Sequence, residues 1–317
     1  MHLRNISLVV AAVIAAARPG TCQQANWSTP LLGHFYDTSS NTITKIAGIP
    51  GAASVDGSVP SASKLRAAHV APAGNFAIAQ TVDEGVVLLD WPRGEVSMRE
   101  LRGAPDEFAS VAFSPNGNIA AIASASQGKL QIWRGLPGSP ALGQEIAFDG
   151  DVLAVSDDGT IAATRNGGVY LVEAESLKLL AAGTFSAIAF RPGTSELAAA
   201  DKDGDTVVSL RTRDGGPTTL ATAEHGIAEP AGLQFSADGR KLVIANRRGR
   251  SATMIDLSTH TAATVSCECS PSLVSAGTGN AVFRITRPNS ANEPLVFLDA
   301  NSPEPRVFLV PVSGVNR

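Results

Sequence analysis

A turn phrase that recurs along the chain constrains its fold more than any other feature. Phe113-Ser114-Pro115-Asn116-Gly117-Asn118 returns as Phe235-Ser236-Ala237-Asp238-Gly239-Arg240. Weaker echoes are Ala71-Pro72-Ala73-Gly74-Asn75, Val155-Ser156-Asp157-Asp158-Gly159-Thr160 and Phe190-Arg191-Pro192-Gly193-Thr194. Self-similarity at a period of about 40 residues is the signature of a radial β-array, in which each repeat buries its faces against its neighbours.

Each repeat follows one script. A β-rich run enters the turn phrase, a second strand of small residues leaves it, and two more strands follow across polar turns. The clearest unit reads Ser110-Val111-Ala112-Phe113, then Ile119-Ala120-Ala121-Ile122-Ala123, Leu130-Gln131-Ile132-Trp133 and Gln144-Glu145-Ile146-Ala147. Short strands with turn signals at this spacing read as all-β, and the Asn-Gly and Asp-Gly pairs supply the positive φ that tight hairpins need. Units begin near Leu65, Glu107, Gly150, Thr184, Glu229 and Pro271. The last has exchanged its turn phrase for Ala276-Gly277-Thr278-Gly279-Asn280.

Ahead of the first unit, Leu32-Gly33-His34-Phe35-Tyr36-Asp37 and Thr42-Ile43-Thr44-Lys45-Ile46 resemble the second half of a repeat. The expected fold is therefore a single β-propeller of four-stranded blades, its ring closed by this N-terminal hairpin completing a blade begun at the other terminus. Closure of that kind removes an exposed sheet edge. At about 42 residues per blade the length favours seven blades, with six as the alternative. The stretch from Gly48 to Ser63, rich in Gly, Ala, Pro and Ser, reads as a loop across one face.

The first 30 residues have another character. Ile6 to Ala17 form an apolar run behind His2 and Arg4, and Ala15-Ala16-Ala17 offers a small-residue cleavage site. The run is too short to span a bilayer, so residues 1–17 read as a signal peptide, 18–30 as an N-terminal extension and 31–312 as the propeller. The expected location is periplasmic or secreted. The triplet before Cys22 is Pro19-Gly20-Thr21, unlike the Leu-Ala-Gly type that precedes a lipidated cysteine, so soluble export is expected rather than a lipid anchor at Cys22. Cys267 and Cys269 are the other two thiols. Packed thiols, a local disulfide and a weak metal site all remain open for them. On an extended strand their α-carbons would lie about 7 Å apart, so a bridge requires the chain to bulge there.

The turn residues carry a family resemblance. Phe113-Ser114-Pro115-Asn116-Gly117 and Phe235-Ser236-Ala237-Asp238-Gly239 are similar to the F-S-P-D-G turn of the WD40-like repeats in bacterial TolB and YVTN propellers. Met254-Ile255-Asp256-Leu257-Ser258-Thr259 resembles the V-I-D-x-x-T strand and turn of YVTN repeats, and Leu130-Gln131-Ile132-Trp133-Arg134 a WD strand whose Asp has become Arg134. The Gly-His dipeptide of true WD40 repeats is absent from the corresponding places. The resemblance covers about residues 65–310 and implies the fold; it implies no single function, because propellers host many unrelated activities.

Candidate chemistry is sparse. A net charge of -4 and a pI near 5.8, with no basic stripe, argue against nucleic acid as a partner. The sequence contains no G-x-S-x-G elbow, no H-E-x-x-H and no phosphate-binding P-loop. Asp201, Asp203 and Asp205 alternate as the first ligands of a calcium loop do, but Gly204 falls at position four and Thr212 occupies position twelve. No cofactor is expected, with calcium at these aspartates the weak exception.

Asp201 to Asp205 and Asn246-Arg247-Arg248-Gly249-Arg250 occupy equivalent turns, between the second and third strands of their units. In a propeller those turns share one face with the blade-to-blade connections, and the F-S-P-D-G turns share the opposite face. The second-to-third turns differ in every unit, which marks their face for recognition. Its candidate binding residues are Arg247, Arg248, Arg250, Asp83 and Glu84. The expected role is a non-catalytic scaffold for a protein or peptide partner in the cell envelope. The alternative is a propeller hydrolase or lactonase at the axial channel mouth, near Arg66 and His69. Convergent His and carboxylate groups around a bound metal at the axis would favour the enzyme, and a channel lined by small apolar residues the scaffold.

Overall fold

The computed structural model describes residues 30–92, 94–173, 176–212, 216–287 and 293–312. Residues 1–17 and Cys22 lie outside these, as do most of the residues between Pro288 and Glu293. Seven antiparallel sheets form the ring of a β-propeller. Blades 2 to 7 each have four strands in sequence order, over residues 65–100, 110–147, 153–182, 185–221, 230–266 and 275–310. Blade 1 is the N-terminal sheet of three strands, Leu31–Asp37, Thr42–Ile49 and Ala52–Val59.

Burial explains the composition of each strand position. Second strands such as Phe76–Thr81 and Ile119–Ser124 are buried at every residue, because both sheet faces pack on neighbouring blades. Alanines alternate there with larger aliphatics: Ala120 and Ile122 meet blade 2, whereas Ala121 and Ala123 meet blade 4. Fourth strands such as Ala141–Ala147 and Thr261–Ser266 form the perimeter and are mostly exposed. Backbone ladders hold them rather than side-chain burial.

Two expectations are corrected by the sheet pairing. The stretch from Gly48 to Ser63 is not a plain loop, since Ala52–Val59 pairs with Thr42–Ile49 from Ile49↔Ala52 to Ile43↔Val59. Its small and polar residues are those of an outer strand, which has little apolar surface to bury. Nor does the N-terminal hairpin complete a blade begun by the C-terminus, because blade 7 supplies four strands of its own. The hairpin closes the ring as part of a separate blade.

Strand direction still fits the second half of a repeat. Leu31–Asp37 starts at the first-to-second turn of blade 7, where the Thr278 amide donates to Leu32 O at 2.7 Å. It ends at the start of blade 2, where the Tyr36 hydroxyl donates to Arg66 O at 2.8 Å. It therefore runs as second strands do, and no inner strand accompanies it among the described residues. Backbones meet closely at this seam: a Cβ on Gly277 would lie 2.4 Å from Leu32 O.

The recurrent phrase builds the turn between first and second strands. Ser114 is fully buried, its hydroxyl donates to Asn116 Oδ1 at 2.8 Å and it accepts from the Ile119 amide at 3.1 Å. Ser236 does the same with Asp238 at 2.7 Å and Lys241 at 2.9 Å. Ser156 repeats it with Asp158 and Thr160. Gly117, Gly159 and Gly239 close these turns at φ 75°, 89° and 67°, a region that disfavours side chains.

Neighbouring turns are also bonded to each other. Asp157 accepts from the Asn116 amide of blade 3 and the Gly193 amide of blade 5, both at 2.8 Å. Arg191 donates to Gly239 O at 2.8 Å, and Asn280 exchanges bonds of 2.9 Å with Asp238. Blades 3 to 7 are thus linked in series along this lower face.

Candidate functional site

On the opposite, upper face the acidic and arginine turns form one surface. Glu229 lies on the connection from blade 5 to blade 6, in a left-handed conformation with φ 49°. Its amide donates to Asp205 Oδ1 at 2.7 Å, its carbonyl accepts from the Arg247 amide at 3.0 Å, and its carboxylate pairs with the Arg247 guanidinium at 3.4 Å. The Arg248 guanidinium donates to the other Asp205 oxygen. Both arginine side chains keep more than half of their surface open, at 53% and 59%. They are restrained by acidic partners yet still available to a ligand.

Arg250 belongs to the same turn, with φ 46°, but points away to donate to Cys269 O at 3.3 Å. Its own carbonyl accepts from the Cys267 amide at 2.8 Å. Cys267 and Cys269 are joined by a disulfide, and the bend after Ser266 brings their α-carbons to 5.1 Å. Of the three states open to these thiols, the structure contains the bridge, and with it the departure from extended strand that a bridge requires.

Asp83 and Glu84 are exposed on the corresponding turn of blade 2, with Glu84 accepting from the Ser63 hydroxyl at 3.2 Å. The structure does not bring them to the arginine turn. Asp201 accepts from the amides of Asp203 and Gly204 at 3.1 and 3.2 Å, which caps its own hairpin. With Asp205 facing Arg248, the three aspartates do not converge. Among the described residues no three His, Cys, Asp or Glu side chains form a group able to hold a metal ion.

The axial channel is bounded mostly by first strands. A cavity of about 180 Å³ lies among Ala112, Phe113, Ala154, Ala189, Phe190 and Gln234. A second, of about 170 Å³, lies among His34, Val70, Gly74, Gln234, Ser275 and Thr278. His34 reaches it because blade 1 presents a second-type strand to the axis. Burial holds the His34 imidazole below its usual range, helped by Lys45 and opposed by a hydrogen bond with the Gly74 backbone. His34 packs edge-on to Trp91 at 5.2 Å, and Trp91 Nε1 donates to Gly74 O at 3.0 Å. Among the described residues no carboxylate lines either cavity.

Burial and the Arg287 charge push His69 down to about 4, and its ring meets Phe108 edge-on at 5.5 Å. It is therefore a neutral packing group at physiological pH. Sequence reasoning missed Glu229, the residue that joins the acidic and arginine turns. Its only local signal is a place just before Pro230, at the entry to a unit.

Comparisons with known proteins agree on architecture. No protein-family model and no curated protein matches the chain. Among solved structures, a functionally unknown protein from Desulfotomaculum acetoxidans superposes with a TM-score of 0.61 at 12% identity, covering 90% of this chain and 96% of that one. KlHsv2 with loop 6CD replaced by a Gly-Ser linker gives 0.54 at 13% identity, covering 89% and 98%. The dihydro-heme d1 dehydrogenase NirN, in complex with DHE, gives 0.50 at 22% identity over 79% of this chain, which spans 56% of NirN. At these identities the likeness defines a class, the β-propellers, and the particular protein here is a seven-bladed member of it.

Proposed function

We propose that this is an exported, non-catalytic scaffold, of the WD40-like type that TolB and YVTN repeats represent, which binds a protein or peptide partner with its upper face. The observation that carries the reading is the division of labour between the faces. The lower turns repeat one phrase and bond to one another, whereas the upper turns differ and leave Arg247, Arg248, Asp83 and Glu84 exposed to solvent. Propeller loops of that kind, held on a rigid ring, are where binding concentrates.

Two further features support the reading. The Cys267–Cys269 disulfide suits an oxidising compartment, in keeping with export by residues 1–17 to the periplasm or beyond. The small apolar part of the channel lining, Ala112, Ala154 and Ala189, fits a scaffold, and it stands beside the larger Phe113 and Phe190 and the polar Gln234, Ser275, Thr278 and His34. Among the described residues no helix is long and apolar enough to cross a membrane. The test is partner retention from a cell-envelope fraction by the mature chain and by an Arg247→Ala/Arg248→Ala variant. Loss of a retained protein in the variant is expected; identical retention by both would remove the arginine turn from the interface.

A further inference from the structure

The seam between blades 1 and 7 holds a buried cation that is incompletely paired among the described residues. Arg284 ends the strand Val282–Arg284, with its guanidinium carbon 4.7 Å above the centre of the Phe35 ring. Its Nε is buried without a hydrogen-bond partner, and no carboxylate lies within ion-pair distance among the described residues. Arg287 adds a second positive charge nearby, and Asp37 is the acidic group among the described residues that acts on Arg284. Asp37 is already engaged, with its two oxygens accepting from Ser39 at 2.9 and 2.7 Å and from Ser40 at 2.8 Å. Two cations and one occupied carboxylate leave the cluster one negative charge short. Burial and Arg287 lower the Arg284 pKa to about 10, so the group stays charged at neutral pH.

Buried charges in proteins are normally paired, because an isolated one forfeits its hydration. Arg284 instead lines a cleft of about 220 Å³ that opens on the upper face at the seam. Phe35, Val55, Leu295 and Val312 make its apolar walls, Thr42 and Thr44 place hydroxyls beside it, and Asp37, held by Ser39 and Ser40, lines it as well. A guanidinium fork at one side of an apolar pocket matches a planar carboxylate carrying a short apolar body. We infer that this cleft binds such a ligand, the carboxylate against Arg284 and the apolar portion against Phe35 and Val55. The carboxylate belongs either to a small free acid or to the C-terminus of a peptide. The site lies apart from the arginine turn of blade 6, so it stands or falls independently of the proposed partner surface.

Calorimetric titration of the full mature chain with hexanoate, hexan-1-ol and inorganic phosphate tests it, alongside a short peptide ending in leucine as free acid and as amide. The expected order places hexanoate or the free-acid peptide well ahead of hexan-1-ol, phosphate and the amide. A preference for hexanoate assigns a small acid, and a preference for the peptide acid assigns a chain terminus. Arg284→Gln should weaken the favoured ligand about tenfold to a hundredfold. Val55→Phe fills the cleft without touching the charge and should abolish binding even if the Arg284 variant does not fold. Equal affinity for hexanoate and hexan-1-ol, phosphate binding as tightly as either acid, no binding by any probe, or unchanged affinity in Val55→Phe would each overturn the assignment.

Discussion

The guanidinium of Arg248 rests on the carboxylate of Asp205, joining two turns that the chain separates by 43 residues. The two most charged turns of the upper face are therefore one electrostatic surface, and a ligand meets a partly neutralised patch there instead of an acidic loop beside a basic one.

A double-mutant cycle should detect that pairing. With Arg248 more than half exposed, solvent screening limits the coupling between Arg248→Ala and Asp205→Ala to about 0.2–1 kcal/mol in urea unfolding. The coupling should fall further in high salt. Strict additivity at low salt would mean that the turns act separately.

The lower face should be more sensitive to a single change. Asp157 accepts two backbone amides from blades 3 and 5, so Asp157→Ala leaves both exposed donors to water and should cost about 0.5–1.5 kcal/mol. Asp157→Asn leaves one acceptor and turns a donor toward the second amide, which predicts an intermediate loss. Melting temperatures unchanged in both variants would show that water replaces these links freely.

The ring seam makes a steric prediction. A Cβ on Gly277 would lie 2.4 Å from Leu32 O and 3.1 Å from Val282 O, both backbone atoms that cannot swing away. Gly277→Ala should therefore part blades 7 and 1, lowering stability by about 1–3 kcal/mol and raising protease sensitivity near Leu32. Gly279→Ala serves as the control in the same turn. Its φ of 99° carries strain, but no atom lies within 4 Å of the added carbon. Equal behaviour of the two variants would contradict close approach as the cause.

His69 sets a pH dependence. Its native pKa lies near 4 against 6.5 for the free side chain, so it gains a proton on unfolding at intermediate pH. The unfolded chain binds more protons over that window, and stability falls as pH drops from about 6.5 to about 4, then levels. The full contribution is about 2–3 kcal/mol after allowance for partial solvent contact. Unfolding free energies of the wild type and His69→Phe across pH 4–7 should differ by this slope. Parallel curves would show that His69 titrates normally.

The reach of sequence reasoning follows the range of the interactions. Ser114, Asn116 and Gly117 form a turn through bonds to residues two and five positions away, so their chemistry stands in the local text and repeats with it. Asp157 is in that phrase too, yet its bonds to blades 3 and 5 depend on the rotation between blades, which no local pattern encodes. Glu229 joins the turns of blades 5 and 6 for the same reason. Ala52–Val59 was hidden because an outer strand needs no alternation of apolar residues to pair. Arg284 has no motif around it, and its setting against Phe35 and Asp37 appears only when those residues arrive from the other end of the chain.

The most direct test is site-specific photo-crosslinking in the cell, with the reactive residue at Lys202, exposed on the upper face beside the arginine turn, and at Arg240 on the lower one. The expected result is a discrete adduct from position 202, reduced in an Arg247→Ala/Arg248→Ala background, and none from position 240. Adducts from position 240 alone, or equally from both, would contradict a scaffold that binds with its variable face.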